Sequence, residues 1–131
     1  MEETTPRVVV VDDDPTNVSL LKILLELEGF TVTPTADLEE ARAAADQSAD
    51  AFVIDLHLAR GESGLELVRH IRSGNTSAAR NAVIIVTSGD HRSQQDAINA
   101  GADLFLFKPY PPNDLAMALS KLISSRKGDV I

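Results

Sequence analysis

Three consecutive aspartates, Asp12, Asp13 and Asp14, follow directly on the run "RVVVV". A further aspartate, Asp55, closes the apolar run "AFVI". Thr87 and Ser88 close "AVIIV", and Lys108, followed by Pro109, closes "LFLF". Clustered carboxylates repel one another, so they must take up protons or bind a cation. Oxygen ligands without cysteine or histidine suit a hard ion, and Mg²⁺ fits because it takes a few carboxylates together with waters and phosphate oxygens. A carboxylate can also attack phosphorus and form an acyl phosphate. A lysine ammonium offsets phosphate charge, and a threonine hydroxyl donates to another phosphate oxygen. Phosphoryl transfer asks for little beyond such positioning and charge stabilisation.

Each residue also has an ordinary structural use. Aspartate caps helices and occupies turns, threonine is common in strands, and a strand-end lysine reaches into water. Asp55 is the exception, because a carboxylate closing a deeply apolar run is costly unless paired. The chemistry therefore depends on whether the fold brings the set together.

Apolar runs and helix-period segments alternate along the whole chain. "RVVVVD", "FTVTPT", "DAFVIDL", "NAVIIVTS" and "DLFLFKP" read as strands. The second is the weakest, since Pro34 excludes a central ladder position. Between them, "PTNVSLLKILLELEG" presents Val18, Leu21, Leu24 and Leu25 at helical spacing, with Pro15 suited to the first turn and Gly29 to the end. Asp37 is expected to cap "LEEARAAADQS". "SGLELVRHIRS" carries Leu65, Val68 and Ile71 on one side, and "RSQQDAINAGA" is closed by Gly101. "PPNDLAMALSKLISS" turns Leu115, Ala118, Leu119 and Leu122 inward, and residues 126–131 are expected to fray. Five strands and five helices in strict alternation imply right-handed βαβ units. The expected fold is α/β, flavodoxin-like and doubly wound, with a parallel sheet in the order 2-1-3-4-5 and ligands bound at the carboxyl ends of the strands. On that order the four sets of chemical residues converge on one rim.

The pieces "VVDD", "VIDL", "IVTS" and "FKP", in that order and at these intervals, resemble the response-regulator receiver domains of two-component signalling. The resemblance runs from about Arg7 to Ile123. It implies a phosphorelay receiver that takes a phosphoryl group from the phosphohistidine of a histidine kinase or phosphotransfer protein onto Asp55, with Mg²⁺ as cofactor. It then implies slow hydrolysis of the domain's own acyl phosphate. Asp13 and Asp55 would be direct Mg²⁺ ligands with the backbone carbonyl of His57. Asp12 would act through a metal-bound water, and Lys108 and Thr87 would contact the phosphoryl oxygens. Thr87 and Phe105 would form the switch that alters the surface of the fourth helix, fifth strand and fifth helix. The resemblance also suggests a cis peptide between Lys108 and Pro109, which an X–Pro bond permits at modest cost. The reader of that surface would be a partner protein, a covalently linked output domain or a second copy in a phosphorylation-dependent homodimer.

Two other readings compete. "DDDPT" also resembles the first motif of haloacid dehalogenase phosphatases, with Asp12 as nucleophile and Asp14 as general acid. That family expects further acids at the end of a later apolar strand, where this chain offers only Asp114 and Asp129, and it leaves Asp55 unexplained. The other is an inactive receiver acting purely as a binding module, although such domains usually lack the acceptor, lysine or hydroxyl found here. On the receiver reading Asp14 has no required role and should tolerate replacement. Asn17 either helps cap the first helix or touches the acidic loop, with capping the more ordinary use.

Departures from the receiver pattern are local. Gly64 falls nine residues after Asp55, so the intervening loop is one residue longer than the commonest form. Phe105 stands where tyrosine is common and cannot hydrogen-bond through a hydroxyl. His57, His70 and His91 share no metal-binding spacing. The 131 residues suit one domain, 1–131, with its core at about 7–123. A formal net charge of −8 argues against direct nucleic-acid binding. No apolar run approaches a membrane span, no cysteine is present, and the first residues lack the blocks of a signal peptide. A cytoplasmic location is the expectation.

Overall fold

Val8, Val9, Val10 and Val11 are wholly shielded from solvent, which places their strand at the centre of the molecule. Full burial of such a side chain contributes about 1.5–3 kcal/mol, and β-branched residues suit a pleated strand covered on both faces. The structure, a computed structural model, describes residues 5–128. Strand β1 (Arg7–Val11) pairs in parallel with β2 (Thr31–Thr35) on one side and β3 (Ala51–Asp55) on the other. Strands β4 (Val83–Ser88) and β5 (Leu104–Phe107) complete a five-stranded sheet in the order β2-β1-β3-β4-β5. This is the expected topology. Pro34, opposite Val10, lies in the edge strand β2, where its missing donor faces no further strand.

Five α-helices are described: α1 (Pro15–Leu27), α2 (Leu38–Ala44), α3 (Gly64–Arg72), α4 (Gln94–Ala100) and α5 (Pro112–Gly128). Alternate strand residues supply two cores. Val9, Val11, Phe52, Ile54, Ile84 and Val86 pack with α2, α3 and α4. Val8, Val10, Val53 and Ile85 pack with α1 and α5. None of the described helices is long and apolar enough to cross a membrane.

Several local expectations needed adjustment. In α1 Leu21 and Leu25 are buried, while Val18 and Leu24 are only partly so. In α5 the buried row is Leu115, Leu119 and Ile123 with Ala116, and Ala118 and Leu122 lie at its margin. A helix lying on a flat sheet buries one i, i+4 row best. Asp37 caps α2 as expected, accepting from the Glu40 amide at 2.8 Å. The helix nevertheless stops at Ala44, because the Asp46 carboxylate accepts from the Ser48 amide and hydroxyl and turns the chain. Helix α5 includes residues 126–128 of the expected frayed tail, with the Arg126 guanidinium donating to the Asn81 carbonyl at 2.8 Å and pairing with Asp103. The rest of that tail, 129–131, lies outside the described residues, Asp129 included. Gly101 closes α4 at φ 117°, a conformation suited to glycine.

Candidate functional site

The carboxyl ends of β1, β3, β4 and β5 lie side by side, so their terminal residues share one rim. Asp12 leaves β1 and is buried. Asp55 ends β3 and keeps 12% of its side chain exposed. Asp13 is exposed. One carboxylate oxygen from each of these three lies within 4.8 Å of the others. Lys108, just beyond β5, is tied by its amide to the Ser88 carbonyl at 2.8 Å. This sends its ammonium across the rim, 3.3 Å from Asp55 Oδ2 and 3.6 Å from Asp12 Oδ2. The Lys108–Pro109 peptide is cis, as the resemblance suggested.

Thr87 is buried and stands in register beside Asp55. Phe105, paired with Val86, is buried in the core shared with α4. His57 lies in the exposed loop after β3, bridged to Ser63. That loop turns through left-handed backbone at Arg60 (φ 62°) and Gly61 (φ 73°) before α3 begins. Gly64 then packs directly under the strand end. A β-carbon there would sit 2.6 Å from Ile54 Cγ2 and closer still to the Asp55 carbonyl oxygen, so only glycine lets α3 start against the residue that carries Asp55.

Burial pushes the Asp55 carboxyl above its ordinary range. Lys108 opposes that shift, the Asp12 charge adds to it, and the His57 amide offsets part of it. The donor set consists of carboxylates alone, which fits a hard divalent ion such as Mg²⁺. It gives no foothold to a metal that prefers sulfur or imidazole.

Asp14 takes the ordinary structural use of a strand-end aspartate. Its carboxylate caps α1, accepting from the amides of Thr16 at 3.0 Å and Asn17 at 3.4 Å. Loss of such a cap costs about 1 kcal/mol, so replacement of Asp14 is expected to lower stability by about that amount. A capping carboxylate engaged in this way is also poorly placed as the general acid of the phosphatase reading. Of the two uses open to Asn17, the favoured one, capping, is not the one seen: its side chain turns to the acidic loop and donates to Asp12 Oδ2 at 2.6 Å.

Tyr110 was not singled out in the sequence. It lines a cleft of about 570 Å³ together with Asp12, Asp13, Asp55 and Lys108, walled by Leu20, Leu21 and Leu24 of α1. Burial, reinforced by the charges of Asp12 and Asp55, pushes its phenol up to about 12. It is the only tyrosine, in a chain without tryptophan, so an ultraviolet titration reads it alone. The expected midpoint is about 12 in the native protein. In denaturant it falls to the ordinary value of about 10, and in Asp55→Asn it drops part of the way. A native midpoint at the ordinary value would show a solvated ring.

The chain matches the family described as response regulator receiver domain over residues 8–120. It is 31% identical over 124 residues to the protein PetR of Rhodobacter capsulatus, covering 94% of this chain and 51% of that protein. It thus spans about half the length of the curated relatives it matches. A response regulator from Burkholderia pseudomallei, solved with a phosphorylated aspartic acid, a calcium ion and citrate, superposes with a TM-score of 0.78 at 26% identity. That match covers 95% of this chain and 72% of the other. The receiver domain of a sensor histidine kinase from Pseudomonas aeruginosa, solved with a magnesium ion in its active-site cleft, gives a TM-score of 0.80 at 26% identity. Here 92% of this chain and 99% of the other are covered.

Proposed function

Because the chain belongs to the response regulator receiver domain family, we propose that it accepts a phosphoryl group on Asp55 from the phosphohistidine of a histidine kinase or phosphotransfer protein. The observation that carries this reading is the position of Asp55. It is a part-buried acid at the end of a central strand, 3.3 Å from the Lys108 ammonium and clustered with Asp12 and Asp13.

An Asp55 carboxylate oxygen attacks phosphorus in line, forming the O–P bond as the P–N bond to the imidazole breaks, and the imidazole leaves with the electron pair. Lys108 offsets the charge on the phosphoryl oxygens, and Thr87 donates to one of them. Asp13, Asp55 and the backbone carbonyl of His57 would hold Mg²⁺, with Asp12 acting through a water. When bound, the ion supplies charge neutralisation for the transferring group. Water later hydrolyses the acyl phosphate and restores the carboxylate.

Thr87, drawn toward the phosphoryl group, leaves space into which Phe105 repacks, and the surface of α4, β5 and α5 changes. Phosphorylation need only bias an existing equilibrium by a few kcal/mol. The altered surface is read by a partner protein, by a linked output domain or by a second copy.

The test is intact-mass measurement after incubation with acetyl phosphate or phosphoramidate and Mg²⁺. The expected result is a gain of one phosphoryl group, absent in Asp55→Asn. A label retained in Asp55→Asn but lost in Asp12→Asn would instead identify phosphatase-like chemistry. A chain that takes up no label and binds no Mg²⁺ is a pure binding module.

A further inference from the structure

The Asp12 carboxylate is buried, and each of its oxygens has one close neutral donor. Oδ1 accepts from the Asp14 amide at 2.9 Å, and Oδ2 accepts from Asn17 Nδ2 at 2.6 Å. The Lys108 ammonium is looser, at 3.6 Å from Oδ2, and lies closer to Asp55. The Asn17 backbone amide is engaged separately, donating to Asp14 Oδ1 at 3.4 Å. Asn17 sits in the first turn of α1, so its reach back to Asp12 also ties the helix start to the end of β1.

From this arrangement we propose that Asn17 is a positioning residue for the metal half of the site. Its side-chain amide holds the Asp12 carboxylate in the orientation that serves the divalent ion. The proposal rests on the receiver reading above. A neutral donor suits the task for a physical reason. A lysine or arginine at this place would cancel the charge of Asp12 and compete with the ion, and an acid would add repulsion to three clustered carboxylates. The amide orients the carboxylate without changing the net charge, and it leaves Lys108 available to Asp55. Groups that orient a metal-site carboxylate in this way typically account for a tenfold to hundredfold difference in metal affinity.

Alanine is a good helix former, so Asn17→Ala should keep α1 and melt close to the parent. Mg²⁺ alone is the probe, titrated by calorimetry into the parent, Asn17→Ala, Asp12→Ala and the double variant. The expected result is an affinity roughly tenfold weaker in Asn17→Ala. The double variant should then bind no more weakly than Asp12→Ala, since two residues that act through one contact are not additive. An unchanged affinity in Asn17→Ala, or a loss that persists in full on the Asp12→Ala background, overturns the proposal while leaving the receiver reading intact. A parent that binds no Mg²⁺ overturns both. A second readout needs no change at Asn17. Its side-chain amide protons should resonate away from their free position and exchange slowly, and should revert in Asp12→Ala. Free-amide signals in the parent would refute the contact itself.

Discussion

Asp55→Asn is expected to take up no phosphoryl group and yet to melt at a higher temperature than the parent in Mg²⁺-free buffer at neutral pH. Burial disfavours the Asp55 anion more than Lys108 favours it, and the Asp12 charge adds to the penalty. The folded-state pKa therefore lies above the unfolded one. Such a group favours the fold most below its unfolded pKa, and that contribution is lost as pH rises through the folded value. Above the folded value the whole penalty is present, and the neutral amide removes it. Lys108 keeps a partner in the variant, because Asp12 Oδ2 stands 3.6 Å away. The advantage of Asp55→Asn should accordingly shrink as the buffer is acidified through the carboxylate range. It should also shrink when Mg²⁺ is added, since an ion bound only by the native parent stabilises it by about 2.7 kcal/mol at a hundredfold excess over Kd. Thermal melts of both proteins across pH, with and without Mg²⁺, measure all of this. A variant that melts below the parent at neutral pH would show that the Lys108–Asp55 pair outweighs desolvation. The general principle is that a reactive carboxylate held among other acids costs stability that a neutral substitute recovers.

Arg72→Ala is expected to lower stability by about 3 kcal/mol, a fall of roughly 10 °C in Tm for a domain of this size. The site of action is the opposite end of the sheet. The Arg72 guanidinium donates to the carbonyls of Gly101 at 2.8 Å and of Arg80 and Ala82, both at 2.7 Å. Its remaining nitrogen pairs with Asp103 Oδ2 at 3.0 Å. Asp103 in turn accepts from the Ile84 amide at 2.9 Å and pairs with Arg126 of α5. One side chain thus joins the end of α3, the approach to β4 and the turn between α4 and β5. Its burial is itself costly and pulls its pKa below the ordinary value, with Asp103 opposing, which keeps the net figure well below the sum of four contacts. Truncation leaves carbonyls and a carboxylate short of donors in a half-shielded pocket. Arg72→Lys should recover only a small part, because a single ammonium cannot reproduce the planar fork. Urea and thermal unfolding give the magnitude. A loss below about 0.5 kcal/mol would place this cluster with ordinary surface substitutions.

Much of this protein could be read from its residues in order. The alternation of β-branched runs with helix-period segments specified a parallel sheet covered on both faces, because buried parallel strands leave a distinctive apolar pattern and their crossovers have one hand; the order 2-1-3-4-5 came from the fold class that this alternation indicates. The same pattern sent Asp12, Asp13, Asp55, Thr87 and Lys108 to one rim. Pro34 marked the edge strand, and Asp37 and Gly101 marked helix ends, because each acts through its own backbone or on an amide three residues away and needs no distant partner. What the order of residues left open were contacts set by side-chain direction across the fold. Asp14 and Asn17 stand three residues apart in an acidic turn, and either could have capped α1. Only the folded backbone showed that Asp14 caps while Asn17 reaches Asp12. Tyr110 gained its place beside the carboxylates through the path of the chain after Lys108. Arg72 gained its four acceptors from segments that meet only once the sheet has closed. Periodicity and capping are local properties and are written along the chain, whereas the orientation of a polar side chain is settled by whichever acceptors the tertiary fold brings within reach.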